Sequence, residues 1–509
     1  MKFLKLLFSR MVITGVLIFL QIALIIFLIL NFADSFALVY GILYVFNLMA
    51  ILYVLNQRGS STYKIPWILI MTLLPVFGLI LYVLMGPNKP TKKMVERVKS
   101  VIKKDREAVK KNKEEYAELL LDNKTMYNQS RYIFENTYMP VYKHTTAKYL
   151  KIGEEYLDEL LKELKKAEKF IFLEYFIVEE GVMFNKILDV LKEKVKQGVE
   201  VRLMYDDMGS IMTVPSDFYK KIESYGIKCQ VFNPFVPIVS VMHNNRDHRK
   251  IVVIDGKVGF TGGLNLADEY INVKKIHGHW KDTGVKIVGE AVRSLTVLFL
   301  ESWNYYRPED KSYFKFIPKI DKELLESDGY VQPFGDNPLD KEKVSQTIYM
   351  NIINQAEDYI FINTPYLIVD SDIIYALISA AKRGVDVRIT TPHIADKWYV
   401  HIVTQSQYLE LIEAGVKIFE YTPGFIHAKS FVCDDKLAVI GTINLDYRSL
   451  VHHFECGIWF YKNKIVEELK KDYIEVQKKC IKVDKEFCKN IKWYNKLASG
   501  LIKIFTPLM

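Results

Sequence analysis

Hydrophobic positions are spread unevenly along the 509 residues. No charged side chain falls between Met11 and Ala33, between Ser35 and Gln57, or between Ile65 and Asn88. About 20 helical residues cross ~30 Å of hydrocarbon. Residues 1–90 are therefore expected to anchor the chain in a membrane, with transmembrane helices near 11–33, 35–57 and 65–88. The first stretch is too long for a signal-peptide core and lacks a small-x-small cleavage site, so it is read as retained. Pro66 and Pro75 make the third a candidate for a kinked or re-entrant segment.

Beyond this region the pattern changes. Residues 91–130 read as a basic helical linker. Short apolar runs then alternate with amphipathic stretches, and the series occurs twice, over 131–310 and 346–485. AEKFIFLEYFIV around Glu174 matches AEDYIFINTPYLIV around Asn363. KQGVEVRLMY matches KRGVDVRITT, and YGIKCQVF matches AGVKIFEY. Gly198 and Gly384 are 186 residues apart, and Gly226 and Gly415 are 189 apart. Strands that alternate with helices through glycine turns predict an α/β fold with a mostly parallel sheet in each repeat. Two such repeats can pack as a pseudo-dimer. Residues 311–345, charged and broken by Pro and Gly, read as the connector. Residues 486–509 mix Trp493, Leu497, Leu501, Ile504 and Phe505 with lysines. That pattern suits an amphipathic helix at lipid or one docked on the core.

The formal net charge is +9. Eleven Lys or Arg stand against three acids between Lys89 and Lys113, beside the apolar region. Such a run marks a cytoplasmic flank on anionic lipid. Three full spans would place it outside, and a re-entrant third segment restores it to the cytoplasmic side, so a multi-pass protein with a cytoplasmic catalytic region is expected. Apolar spans and a modest net charge argue against nucleic acid as a partner. The five cysteines, at 229, 433, 456, 480 and 488, show no paired metal spacing. They read as thiols in a reducing compartment.

The chemistry lies in two sparse copies of one pattern, HRKIVVIDGKVGFTGGLN at 248–265 and HAKSFVCDDKLAVIGTIN at 427–444. A His two residues from a Lys on an extended strand shares its face. Folding the repeats together would bring His248, Lys250, His427 and Lys429 to one phosphate. Lysines, with Asn265 and Asn444 as neutral donors, would stabilise charge on the non-bridging oxygens. One imidazole attacks phosphorus while the other moves the proton. This chemistry calls for no cofactor, and the motifs offer no third ligand for a metal. Asp282 and Glu455 lie 34 and 28 residues after their motif histidines and are candidates to orient an imidazole. Asp255 and Asp434 complete the motif; their places beside Gly256 and Asp435 suggest fixing a turn more than moving a proton. The two motif histidines are 179 residues apart, so the first repeat carries about ten extra residues near Phe235–Val239, an apolar stretch suited to a lid or a buried strand.

These residues resemble the phospholipase D superfamily, whose signature is HxKx4Dx6GSxN. Gly263 and Thr442 stand where that signature has Ser. Within the superfamily the chain is similar to bacterial cardiolipin synthases. The similarity runs through YKIPWILIMTLLPVFGLILYVLMGP, the stretch containing Glu174, YDDMGS, GGLNLADEY, HWKDTGVKIVGEAV and GTINLDYRSL. It implies two phospholipase D-like repeats behind an N-terminal membrane region, with Glu174 among the substrate-binding residues. It also implies a reaction between two phosphatidylglycerol molecules, giving cardiolipin and glycerol, with His248 as nucleophile and His427 as acid/base. A hydrolytic phospholipase D or another phosphatidyltransferase would use the same residues. A nuclease and an inactive lipid-binding scaffold are further alternatives. Nothing in the sequence indicates an oligomeric state.

Overall fold

Each repeat is built on one twisted sheet, and the two sheets share a strand order. The computed structural model describes residues 37–57, 61–85, 109, 112–235, 245–310, 313–320, 328–340 and 342–506, with isolated positions between 19 and 30. The expected span at 11–33, the basic run over 91–108 and residues 236–239 of the expected lid lie largely or wholly outside these.

The second apolar stretch forms α1 (Ala37–Asn56). The third divides into α2 (Ser61–Leu73) and α3 (Pro75–Met85). A Cβ on Gly78 would come within 2.7 Å of Ile70 O and Met71 Cα. Eight residues of straight helix span about 12 Å, so the chain bends sharply at Leu74, before the ring of Pro75. Val54, Trp67, Met71 and Tyr82 pack together inside the three helices, and Asn47 Nδ2 donates to Met71 O at 3.0 Å. Among the described residues no helix is long and apolar enough to cross a membrane.

The linker ends in α4 (Lys113–Asp122) and α5 (Lys124–Thr137). Asn123 caps α5 by accepting from Thr125 N and Met126 N. The first repeat then supplies β1 (Thr145–Leu150), α6 (Gly153–Lys165), β2 (Phe170–Tyr175), α7 (Val182–Lys196), β3 (Glu200–Asp206), β4 (Lys228–Phe232), β5 (Ile251–Ile254), β6 (Val258–Gly262), β7 (His279–Lys281), β8 (Gly284–Gly289) and α8 (Val292–Tyr306). The second supplies β9 (Tyr330–Asp336), α9 (Val344–Gln355), β10 (Tyr359–Asn363), β11 (Leu367–Ile368), α10 (Ser371–Lys382), β12 (Asp386–Pro392), α11 (Trp398–Ser406), β13 (Lys417–Tyr421), β14 (Gly424–Ile426), β15 (Ser430–Cys433), β16 (Leu437–Gly441), β17 (Leu445–Asp446), β18 (Glu455–Tyr461), α12 (Lys464–Gln477), β19 (Cys480–Val483) and α13 (Trp493–Phe505).

The sheets run β1-β8-β6-β5-β2-β3-β4 and β9-β18-β16-β15-β10-β12-β13-β19. The second repeats the first and adds one edge strand. Within the two large sheets, parallel pairing is confined to β2-β3-β4 and to β10-β12-β13. The remaining sheet pairs are antiparallel, which corrects the expectation of a mostly parallel sheet. The reason is local: each motif strand returns through a tight turn, and short connections give antiparallel neighbours. A second correction concerns the connector, because β9 falls inside 311–345 and pairs with β18 along seven residues.

The inward faces of the sheets meet. Phe172, Ile251, Val253 and Val285 share one buried cluster with Val432, Ala438, Ile440 and Ile458. A Phe or Val buried in full contributes about 1.5–3 kcal/mol, so this shared core holds the repeats as one body. The linker helices add to the second repeat: Gln332 Nε2, on β9, donates to Met139 O at 2.8 Å and Ser130 O at 3.1 Å.

Candidate active site

Two short ribbons cross between the repeats, and each delivers a histidine opposite a carboxylate. In the first, β7 pairs with β14 in parallel, with Lys281 opposite Ile426. The next residues are Asp282 and His427. His427 N donates to Lys281 O at 2.7 Å, and His427 Nδ1 lies 2.7 Å from Asp282 Oδ2. In the second, Asp247 bridges Phe454, and His248 N donates to Phe454 O at 2.9 Å. His248 Nδ1 then lies 2.9 and 3.1 Å from the Glu455 oxygens. Each of the two candidate acids thus lies against an imidazole, and the partnership is crossed: each meets the histidine of the other repeat.

A carboxylate on Nδ1 holds the ring proton there and leaves the lone pair on Nε2. Both carboxylates are fully buried, and each histidine keeps 6% of its surface. Burial drives the Glu455 carboxyl well above the usual range. His248 is held well below an ordinary histidine by burial, then by Lys250, His453, Lys429 and His427. His427 is pulled down to about 4 by burial and Lys429, against Asp282. Lys250 is lowered to about 8 and Lys429 to about 7, chiefly by burial. Each histidine feels both lysines, so the two His–Lys pairs form one site. Lys250 and Lys429 donate to the carbonyls of His248 and His427, which aims both ammonium groups beside the imidazoles.

The two halves of the site differ where their sequences leave the signature. Thr442 donates its hydroxyl to Glu455. At the matching place in the first repeat, a Cβ on Gly263 would overlap Asp282 Oδ1. The missing side chain is the room that the buried Asp282 occupies. Aromatic rings wall both histidines. Phe176 lies 5.1 Å from His248, and Trp280 and Tyr270 lie 5.3 and 5.5 Å from His427, centroid to centroid.

The remaining expected residues fall elsewhere. Asp255 and Asp434, grouped by the motif with the catalytic residues, sit past the far ends of β5 and β15. Asp255 accepts from the backbone of Glu168, Lys169 and Phe170 at 2.7–2.8 Å. Asp434 does the same for Glu357, Asp358 and Tyr359 at 2.8–2.9 Å. Both have φ of +53°, a conformation that Asp tolerates better than most residues. They fix where β2 and β10 begin. Asp434→Asn is expected to lower stability by about 2 kcal/mol and leave the turnover of folded enzyme unchanged, as thermal unfolding and active-site-normalised rates would show.

Glu174 is also displaced from its expected role. It pairs across the sheet with Ile251, so it shares a face with Arg249 and not with His248 and Lys250. Arg249 Nη2 donates to it at 2.8 Å. Glu174 thus belongs to a buried ion pair beneath the site. Asn265 binds Ile177 N and the Tyr270 hydroxyl, bracing the wall against His427. The Oδ1 of Asn444 has no partner among the described residues.

His453 was not singled out from the sequence. Its ring lies 5.3 Å from that of His248, and its Nδ1 lies 3.7 Å from Glu455 Oε1. The available signal was the doublet His452-His453 just ahead of Glu455. His248, His453 and Glu455 form a group of buried ligand atoms within 4.8 Å of one another, a donor set suited to a divalent ion. Burial lowers both histidines most; Lys250 and Lys429 add to it at His248, and Arg448, His452, Lys250 and Arg246 at His453. The same positive field opposes a cation and favours a phosphodiester.

Paired α/β repeats that cross-supply acids to two histidines define a phosphodiester-transfer enzyme of the phospholipase D type. Residues 160–276 and 349–476 match the family described as cardiolipin synthase, PLD-like domain. Residues 45–87 match the phospholipase D-nuclease N-terminal family. An uncharacterised protein of Streptococcus mutans is 43% identical over 90% of this chain and 99% of its own length. A cardiolipin synthase of Alkalihalophilus pseudofirmus is 33% identical over 89% of this chain and 90% of its own. Among solved structures, the phosphatidylserine synthase of Haemophilus influenzae shares the fold, with a TM-score of 0.55 and 14% identity over 74% of this chain and 97% of that one. The chain belongs to the cardiolipin synthase family and is a phosphatidyltransferase.

Proposed function

We propose that the enzyme joins two phosphatidylglycerol molecules into cardiolipin and releases glycerol. The observation that carries this reading is the crossed pair of dyads, each with Nδ1 held by a carboxylate. In the first step His248 Nε2 attacks phosphorus and the bond to the glycerol oxygen breaks. His427, which takes up a proton on Nε2 once the negative charge of the bound phosphodiester offsets the two lysines, gives that oxygen its proton. In the second step neutral His427 takes the proton from a hydroxyl of the second phosphatidylglycerol. The new P–O bond forms as the P–N bond breaks, and both histidines return to their starting state. Lys250 and Lys429 neutralise the non-bridging oxygens throughout.

The membrane setting follows from the same reading. Phe46, Leu52, Ile65, Leu73 and Val83 turn large apolar side chains outward from α1, α2 and α3. A surface of this kind suits lipid contact, so these helices seat the protein at the cell membrane. Five free cysteines and the basic run after Asn88 favour the cytoplasmic face for the catalytic repeats.

Purified enzyme in detergent, given phosphatidylglycerol and a chelator, is expected to yield cardiolipin and glycerol in equal amounts. Phosphatidic acid as the only lipid product would replace this reading with a hydrolase. Loss of turnover on chelation, restored by a divalent ion, would bring the His248–His453–Glu455 group into the mechanism.

The lysines set a pH limit. Each must be charged to hold the phosphodiester, and that charge is lost as pH rises through a lowered pKa. The alkaline limb of kcat/KM is expected near pH 7–8, following Lys429 at about 7 and Lys250 at about 8. A limb near the ordinary lysine value of ~10.4 would show that the bound state is not built on these two buried cations.

A further inference from the structure

Helix α13 turns its apolar face outward. Trp493, Leu497 and Leu501 recur every fourth residue, and Tyr494 and Phe505 fall beside them on the wheel. Trp493 is 74% exposed, Leu497 59% and Leu501 56%. The buried residue of the helix is Ser499. A helix resting on a protein core in water buries its Trp and Leu stripe and exposes its serine; this one does the reverse. Lys492, Lys496 and Lys503 are exposed along it.

The face is not isolated. α13 packs on α11, which opens on the exposed Trp398, and it also touches α2. α2 exposes Ile65 and Leu73 in turn. α13 therefore lies between two elements that each expose large apolar side chains. α11 is coupled to the site's rim. Thr404 of α11 accepts from Leu367 N at 3.3 Å. Leu367 pairs with Leu445, the residue after Asn444 of the second motif.

We propose that α13, with Trp398, seats in the headgroup layer of an anionic bilayer and holds the rim of the site at that depth. Aromatic and aliphatic side chains flanked by lysines are the composition of an interfacial helix. Contact with α2 gives the face a membrane neighbour, and its lysines favour an anionic surface over a second, equally basic copy. The inference rests on the lipid-substrate reading above.

The test uses the full chain in nanodiscs containing phosphatidylglycerol. A polarity-sensitive fluorophore is placed at Leu497→Cys, with Lys478→Cys as a solvent-exposed control. Quenching by lipid-borne nitroxide is expected to be at least about threefold greater at 497 than at 478. Leu497→Glu/Leu501→Glu is expected to slow turnover of bilayer phosphatidylglycerol about tenfold. Turnover of a short-chain, monomerically soluble phosphatidylglycerol should stay within about twofold of wild type. Equal quenching at the two positions would overturn the proposal, and so would equal loss on both substrates. If wild type makes cardiolipin from neither substrate, the functional reading fails while the quenching measurement still decides the docking.

Discussion

His248→Ala and His427→Ala are each expected to abolish cardiolipin formation, by on the order of 10⁴-fold or more, with thermal stability close to wild type. Neither ring carries the shared core; each projects from a ribbon into a site where its neighbours are lysines and aromatic rings. Both steps need both rings, so neither variant should retain half the activity, and the double variant should be no worse than the singles. Enzyme exposed to phosphate-labelled substrate and denatured in alkaline detergent, which preserves a P–N bond, should carry the label in His427→Ala, given a leaving group that departs without a proton. It should carry none in His248→Ala. Label in the His248 variant would exchange the two roles. Near-full turnover in either variant would dismiss the shared site.

The second large effect runs across the repeats. Asp282→Asn is expected to disable His427, and Glu455→Gln to disable His248, each by roughly 10²–10⁴-fold in kcat, the range seen when an orienting carboxylate is neutralised. An amide cannot hold the proton on Nδ1 as a carboxylate does. A phosphatidyl ester of p-nitrophenol separates the two variants, because its leaving group needs no general acid. Asp282→Asn should then form the phosphohistidine at close to the normal rate, and Glu455→Gln should not. Gly263→Ser should fall with Asp282→Asn, since a side chain there overlaps the Asp282 carboxylate. If each acid instead affected the step of the histidine in its own repeat, the crossed pairing would be wrong.

Much of this was legible in the chain because it is local. The His–Lys spacing, the glycine turns of each repeat and the downstream acids are each written within a few tens of residues. What escaped is what folding brings together. Asp282 and His427 are 145 residues apart, and His248 and Glu455 are 207 apart. No spacing tells which acid meets which ring. Glu174 was misplaced because alternation on β2 and β5, which puts it behind the sheet with Arg249, depends on their register. Gly263 looked like a lost serine until Asp282 was seen in its space. β9 was hidden in the expected connector because its pairing with β18 is long-range, so charge and turn residues dominated the local pattern. The kink before Pro75, by contrast, was visible, since proline acts on its own neighbours.

The crossing of the dyads bears on how the enzyme is made. During synthesis the first repeat emerges with His248 and Lys250 but without Glu455, which lies 207 residues further on. The first repeat by itself therefore holds an unoriented imidazole. Competence arrives with the docking of the second repeat, and at the same moment for both histidines. Catalysis is in this sense a proof of complete assembly: a truncated or misdocked chain cannot cleave a phosphodiester.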